Sequence, residues 1–87
     1  MKSFWYNETR KNVCGIRIRE LRIAKNMTQA QLAIKAQLEG YESITETAIV
    51  KLELGTRFVA DYEVSIFAKI LGTSVEDLLS GNNEPNH

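Results

Sequence analysis

The sequence predicts an all-α domain of five short helices. Three observations lead there. Apolar residues recur at helical spacing in separate stretches, most clearly Cys14, Ile18 and Leu21, and then Val64, Phe67, Ala68 and Leu71. Each stretch opens near a residue able to cap a helix start, and most close on a glycine or an asparagine. No segment shows the two-residue alternation of a strand, and there are no repeats or low-complexity runs.

The first helix starts near Asn12, whose side chain can accept a bond from a first-turn amide, and stops at Asn26, a residue type that tolerates left-handed backbone. Its inward stripe is Cys14, Ile18 and Leu21, continued by Lys25. The second helix runs from about Gln29 to Glu39, with Leu32, Ala36 and Leu38 facing inward and Gly40 as its stop. Thr28 and Gln31 have the spacing of a capping box, in which each side chain binds the other residue's amide. Ser43 and Glu46 have the same spacing, so the third helix begins at Ile44 or at Glu46, buries Ala48, Ile49 and Leu52, and ends at Gly55. Asp61 is the expected cap of the fourth helix and Gly72 its stop; Ser74 caps a last short helix carrying Leu78 and Leu79. The domain therefore spans 12–80, between an N-terminal arm (1–11) and a flexible polar tail (81–87).

With 87 residues, 44% hydrophobic and 25% charged, the chain is the size and composition of one globular domain with a modest core. No apolar run is long enough to cross a bilayer, and Met1 to Tyr6 lacks the apolar stretch of a secretory signal. The single cysteine, Cys14, lies on the inward stripe of the first helix and reads as a core thiol; a cytoplasmic location suits it. The only histidine is His87, so no metal-ligand cluster is expected, and no nucleophile–base pair or phosphate loop has a recognisable spacing. No cofactor and no enzymatic activity are expected. The formal net charge of zero hides an asymmetry: residues 1–35 hold eight Lys/Arg against two acids, residues 36–87 three against nine. The basic half can face phosphates, whereas the neutral total limits non-specific affinity for nucleic acid.

The ordered set Arg17-Ile18-Arg19-Glu20-Leu21-Arg22, Met27-Thr28-Gln29, Leu32-Ala33, Ile49, Leu52-Glu53, Gly55, Arg57 and Ala68 to Leu79 resembles the lambda-repressor-like (Xre/Cro-type) helix-turn-helix family over roughly residues 13–80. The tight turn usual between the second and third helices is replaced here by a longer one, Gln37 to Ser43, as in a branch of that family. The resemblance implies a five-helix lambda-repressor-like DNA-binding domain. Its function would be that of a sequence-specific transcriptional regulator, a small repressor or autoregulator, that inserts the third helix (about 45–53) into the major groove as a dimer. Thr45, Glu46, Thr47, Val50 and Lys51 then face outward. Lys51 is suited to guanine, Thr47 to a phosphate, base edge or thymine methyl, and Glu46 to a cytosine amino group. Gln29, with Thr28 in a secondary role, lies where the family meets the DNA backbone and braces the third helix. Arg57 reads either as a phosphate contact or as an ion pair to Asp61 or Glu63. Arg22 and Glu53 are expected to form a structural ion pair behind the third helix. Ile16 and Ile23, Ile66 and Ile70, and Phe4-Trp5-Tyr6 lie off the expected core. They could cover one another, form a homodimer contact, or be scattered surface residues. The alternative to a regulator is a protein-interaction module that keeps the fold without binding DNA, a reading consistent with the neutral charge and with Glu46.

Overall fold

The computed structural model describes residues 10–80. Five helices follow one another: α1 (Gly15–Ala24), α2 (Gln29–Leu38), α3 (Glu46–Leu54), α4 (Asp61–Leu71) and α5 (Val75–Leu79). No strand occurs among the described residues. α3 packs on α1 and α2, and α4 closes the other side of the core against α1, α2 and α5. Phe67, Ile18, Leu32, Ile44, Ile49, Leu52, Leu71 and Leu78 are fully buried and supply its bulk. No helix among the described residues is long and apolar enough to cross a membrane.

Helix ends follow the local signals closely. Thr28 Oγ1 accepts from the Gln31 amide (3.0 Å) while Gln31 Oε1 accepts from the Thr28 amide (2.8 Å), which is the expected capping box. Ser74 caps α5 by accepting from the Asp77 amide. Asn26, Gly40, Gly55 and Gly72 all have positive φ. After each of them the next amide reaches back to close the helix: Met27 N–H donates to Arg22, Tyr41 to Ala36, Thr56 to Lys51 and Thr73 to Ala68. This is the Schellman arrangement, repeated at the end of four helices.

The structure revises several sequence expectations. α3 begins at Glu46 because Thr45, not Ser43, is its cap: Thr45 Oγ1 accepts from the Ala48 amide. Asp61 is the first residue of α4 rather than its cap. The cap position is Ala60, whose amide donates to the Glu63 carboxylate. Leu38 does not face inward; it is 82% exposed. A helix turns about 100° per residue, so Leu38 lies on the opposite side from Ala36, and Ala33 joins Leu32 and Ala36 in the core instead. Ile66 is a core residue and Ile70 packs against the core, so they form no exposed pair on α4; Ile16 is half-buried, and Ile23 alone of the four is exposed. Phe4-Trp5-Tyr6 and the tail 81–87 lie outside the described residues.

Arg10 and Lys11, the last two residues of the expected arm, bind the end of α3. Lys11 N–H donates to the Gly55 carbonyl (2.7 Å). The Arg10 guanidinium donates to the Leu52 and Glu53 carbonyls. Asn12 Nδ2 donates to the carbonyls of Leu52 and Arg57, and its Oδ1 accepts from the amide of Gly15, the first residue of α1. Carbonyls at the end of α3 that a helix terminus leaves unpaired are thus satisfied by a segment 40 or more residues away. α1 crosses this end of α3 so closely that a Cβ at Gly15 would clash with the Leu52 carbonyl oxygen. Helix propensity alone favours Gly15→Ala by up to about 1 kcal/mol. The close approach predicts the reverse, a loss of about 2 kcal/mol in urea denaturation, because backbone must move to admit the methyl.

Candidate nucleic-acid interface

The site is organised from behind by the Glu53 carboxylate. Arg22 Nε donates to Glu53 Oε2 (2.7 Å) and Arg22 Nη2 to Oε1 (3.0 Å), a two-pronged pair in which both side chains are buried. Arg22 Nη1 donates further to the Met27 carbonyl (2.8 Å), in the turn between α1 and α2. Gln29 Nε2 donates to Glu53 Oε1 (3.0 Å). One carboxylate on α3 therefore holds a residue of α1 and the first residue of α2 together. The expected ion pair is present, and Gln29, expected both to meet the DNA backbone and to brace the third helix, has its side-chain amide engaged in the brace.

α3 turns its other side outward. Thr45, Glu46, Thr47, Lys51 and Leu54 are exposed and Val50 is half-buried. Thr47, Val50, Lys51 and Leu54 fall at i, i+3, i+4 and i+7 and share one face. Leu54, 64% exposed, extends this face beyond the residues picked out from sequence. Thr45 and Thr28 hydroxyls accept capping bonds, which leaves each O–H free to donate. Glu46 sits in the first turn, where a carboxylate is favoured by the helix dipole.

Arg57 forms the ion pair that was one of its two expected readings, and its partner is Glu63 rather than Asp61. Its two terminal nitrogens donate to the two carboxylate oxygens at 3.0 and 3.1 Å. Desolvation, the largest influence on Glu63, pushes its carboxyl up. The Arg57 hydrogen bonds, the Ala60 amide and the Arg57 charge together outweigh it and hold the carboxyl below its ordinary value. The Arg57–Glu63 pair thus fixes the loop from α3 into α4.

The long turn between α2 and α3 is tied down at three points. Ile44 is fully buried, Gln37 Nε2 donates to the Ile44 carbonyl (3.0 Å), and Tyr41 stacks on Tyr62 at the start of α4, centroids 6.0 Å apart. The start of α3 is therefore set by core packing rather than by a tight turn. Sequence reasoning missed these contacts, together with Arg10 and Lys11, because none has a local signature. An isolated tyrosine pair 21 residues apart announces nothing until the chain folds.

Cations across the surface are mostly engaged. Arg17 binds Glu20 and Asp77, Arg22 binds Glu53, Arg57 binds Glu63 and Lys69 binds Glu39, while Lys11 lies 5.4 Å over the Phe58 ring. Among the described residues, Arg19, Lys25, Lys35 and Lys51 have no carboxylate partner. Cys14 is 1% exposed and burial pushes its thiol up to about 11, so it stays protonated and inert at neutral pH. No group of three potential metal-binding side chains occurs among the described residues. Against known proteins, the chain matches no family model, no curated protein and no solved structure.

Two measurements check this geometry. Glu53→Ala strands the Arg22 charge and should cost about 3–5 kcal/mol, a fall of more than about 10 °C in melting temperature. The paired replacement Arg22→Met with Glu53→Leu should recover most of that loss. Glu63, with its folded-state carboxyl held low, adds stability above its unfolded value of 4.5 that disappears as pH falls through the lower folded value. Acid titration of Glu63→Gln should therefore show a shallower loss of stability below about pH 4.5 than the parent.

Proposed function

We propose that the protein is a sequence-specific DNA-binding transcriptional regulator that places α3 in the major groove and binds paired half-sites as a dimer. One observation carries the reading. α3 presents an exposed face centred on Thr47 and Lys51, while Glu53 on its opposite side is locked to α1 and α2. A reading helix needs both features: side chains free to meet base edges, and a fixed angle to the rest of the domain. The helical order and the residues shared with lambda-repressor-like regulators support the same view.

In this reading Lys51 donates to guanine O6 and N7, and Thr47 contacts a base edge or a phosphate. Glu46 selects cytosine or repels unsuitable partners. Thr28 and the first-turn amides of α2 meet the backbone, with Gln29 bracing α3. Arg57 positions the following loop through Glu63 and can turn a remaining N–H toward a phosphate. With a formal net charge of zero, affinity has to rest on direct readout and dimerisation more than on bulk charge, and its salt dependence is correspondingly shallow. The pairing of Arg17, Arg22, Arg57 and Lys69 with carboxylates also favours one alternative, a protein-interaction module that retains the helices without binding DNA.

Selection from random duplex DNA, followed by sequencing of the bound fraction, separates the two. A regulator should enrich a palindrome. Lys51→Ala should then weaken the best site about tenfold or more and relax preference at particular positions, whereas Arg57→Ala should weaken all sequences alike. A pool that returns without enrichment at low salt would reject the reading.

A further inference from the structure

The outer side of α2 carries a surface that the DNA reading does not use. Ile34 is 54% and Leu38 82% exposed, one helical turn apart, on the side away from Leu32, Ala33 and Ala36. Half-buried Met27 and Ile70 flank this ridge at its two ends. A depression of about 390 Å³ runs beside Met27, Gln31, Ile34 and Leu38. A second, of about 250 Å³, continues past Leu38 to Ile70 on α4. The two share Lys35 and Leu38, and no residue of α3 lines either.

Charge is arranged around this apolar strip. Lys25 and Lys35 rim the first depression and have no carboxylate partner among the described residues. Lys69 rims the second and holds Glu39 at 2.8 Å. The rim, three lysines against Glu39, is thus net positive. Unpaired lysines beside uncovered aliphatic side chains call for one complement: an aliphatic stripe flanked by carboxylates. A ridge spaced i, i+4 is also the shape that packs into the grooves of a second helix. Nucleic acid fits less well, because 82% exposed Leu38 lines the same depression as Lys35 and Lys69 and would meet a charged backbone with no apolar counterpart.

We propose that the α2 groove is a docking site for an acidic amphipathic helix of a partner protein, with Ile34 and Leu38 inserted into its apolar stripe and Lys25 and Lys35 paired with its carboxylates. No residue of α3 lines the groove, so α3 remains exposed when the groove is filled.

The test is a titration of the full chain, followed by amide NMR and fluorescence anisotropy, with a synthetic helical peptide of about 18 residues. The peptide carries leucines on one face and glutamates beside them. A twin carries lysines in place of the glutamates. The acidic peptide should bind with micromolar affinity that falls as salt rises, and should shift the amides of Met27, Ile34, Leu38 and Ile70. Leu38→Ser and Lys35→Glu should each weaken it tenfold or more, with Ile34→Ser as a further variant if Leu38→Ser does not keep its helical circular dichroism. Lys51→Ala should leave it unchanged, which separates this site from the α3 face. Failure of the acidic peptide to bind, equal binding of the lysine twin, or shifts confined to α3 or α5 would each overturn the proposal. So would self-association of the chain that Leu38→Ser abolishes while peptide binding is absent, which would assign the groove to a second copy. Loss of duplex affinity in Lys35→Glu without any effect on the peptide would assign the lysines to DNA.

Discussion

The buried carboxylate of Glu53 is the constraint around which the structure is arranged. It accepts from Arg22 on α1 through two nitrogens and from Gln29 on α2 through a third. Arg22 in turn reaches the Met27 carbonyl, so the turn between α1 and α2 is fixed by the same group. Such a cluster adds less to stability than its short distances suggest, because desolvation offsets much of the attraction. Its effect is on orientation: a two-pronged pair tolerates little rotation of α3 about its own axis. Which residues of α3 face outward follows from which residue is anchored within.

The remaining long-range polar contacts extend this fixation to both ends of α3. At the C-terminal end, Arg10, Lys11 and Asn12 occupy the carbonyls around Leu52 to Gly55, and Gly15 lets α1 lie against them. At the N-terminal end, buried Ile44 and the Tyr41–Tyr62 stack hold the long connection. The Arg57–Glu63 pair then directs the chain into α4. A lengthened turn does not make α3 loose, since rigidity is supplied by core packing. α5 is tied to α1 through Arg17 and Asp77, whose carboxyl is held low first by the Thr73 hydroxyl and then by Arg17.

Pairing cations internally has a consequence for recognition. A chain of zero formal net charge, with four of its cations held by carboxylates, attracts any duplex weakly, so discrimination has to come from contacts to base edges. It also makes the remaining unpaired cations informative. Arg19 lies on α1 and Lys51 on the face of α3, whereas Lys25, at the end of α1, and Lys35, on α2, lie beside exposed Ile34 and Leu38. The same domain thus offers two faces of different chemistry, one mixing Thr47 and a single lysine with Val50 and Leu54, and one apolar with a basic rim.

Local sequence recorded the starts of α2 and α5, the four positive-φ stops and most of the buried stripes. The Thr28–Gln31 box, the stops at Asn26, Gly40, Gly55 and Gly72, and the buried run Val64, Phe67, Ala68 and Leu71 are all written within a few residues of one another. Capping and periodicity are local, so local spacing records them. The Arg22–Glu53 pair was also legible, through its likeness to a known pattern rather than through spacing. Tertiary structure alone decided that Leu38 faces solvent, that Ile66 joins the core, that Arg10 to Asn12 close the end of α3, and that Arg57 binds Glu63 and leaves Asp61 aside. Each of these depends on which surfaces the folded helices bring together across the chain, and a side chain's own neighbours in sequence carry no record of that.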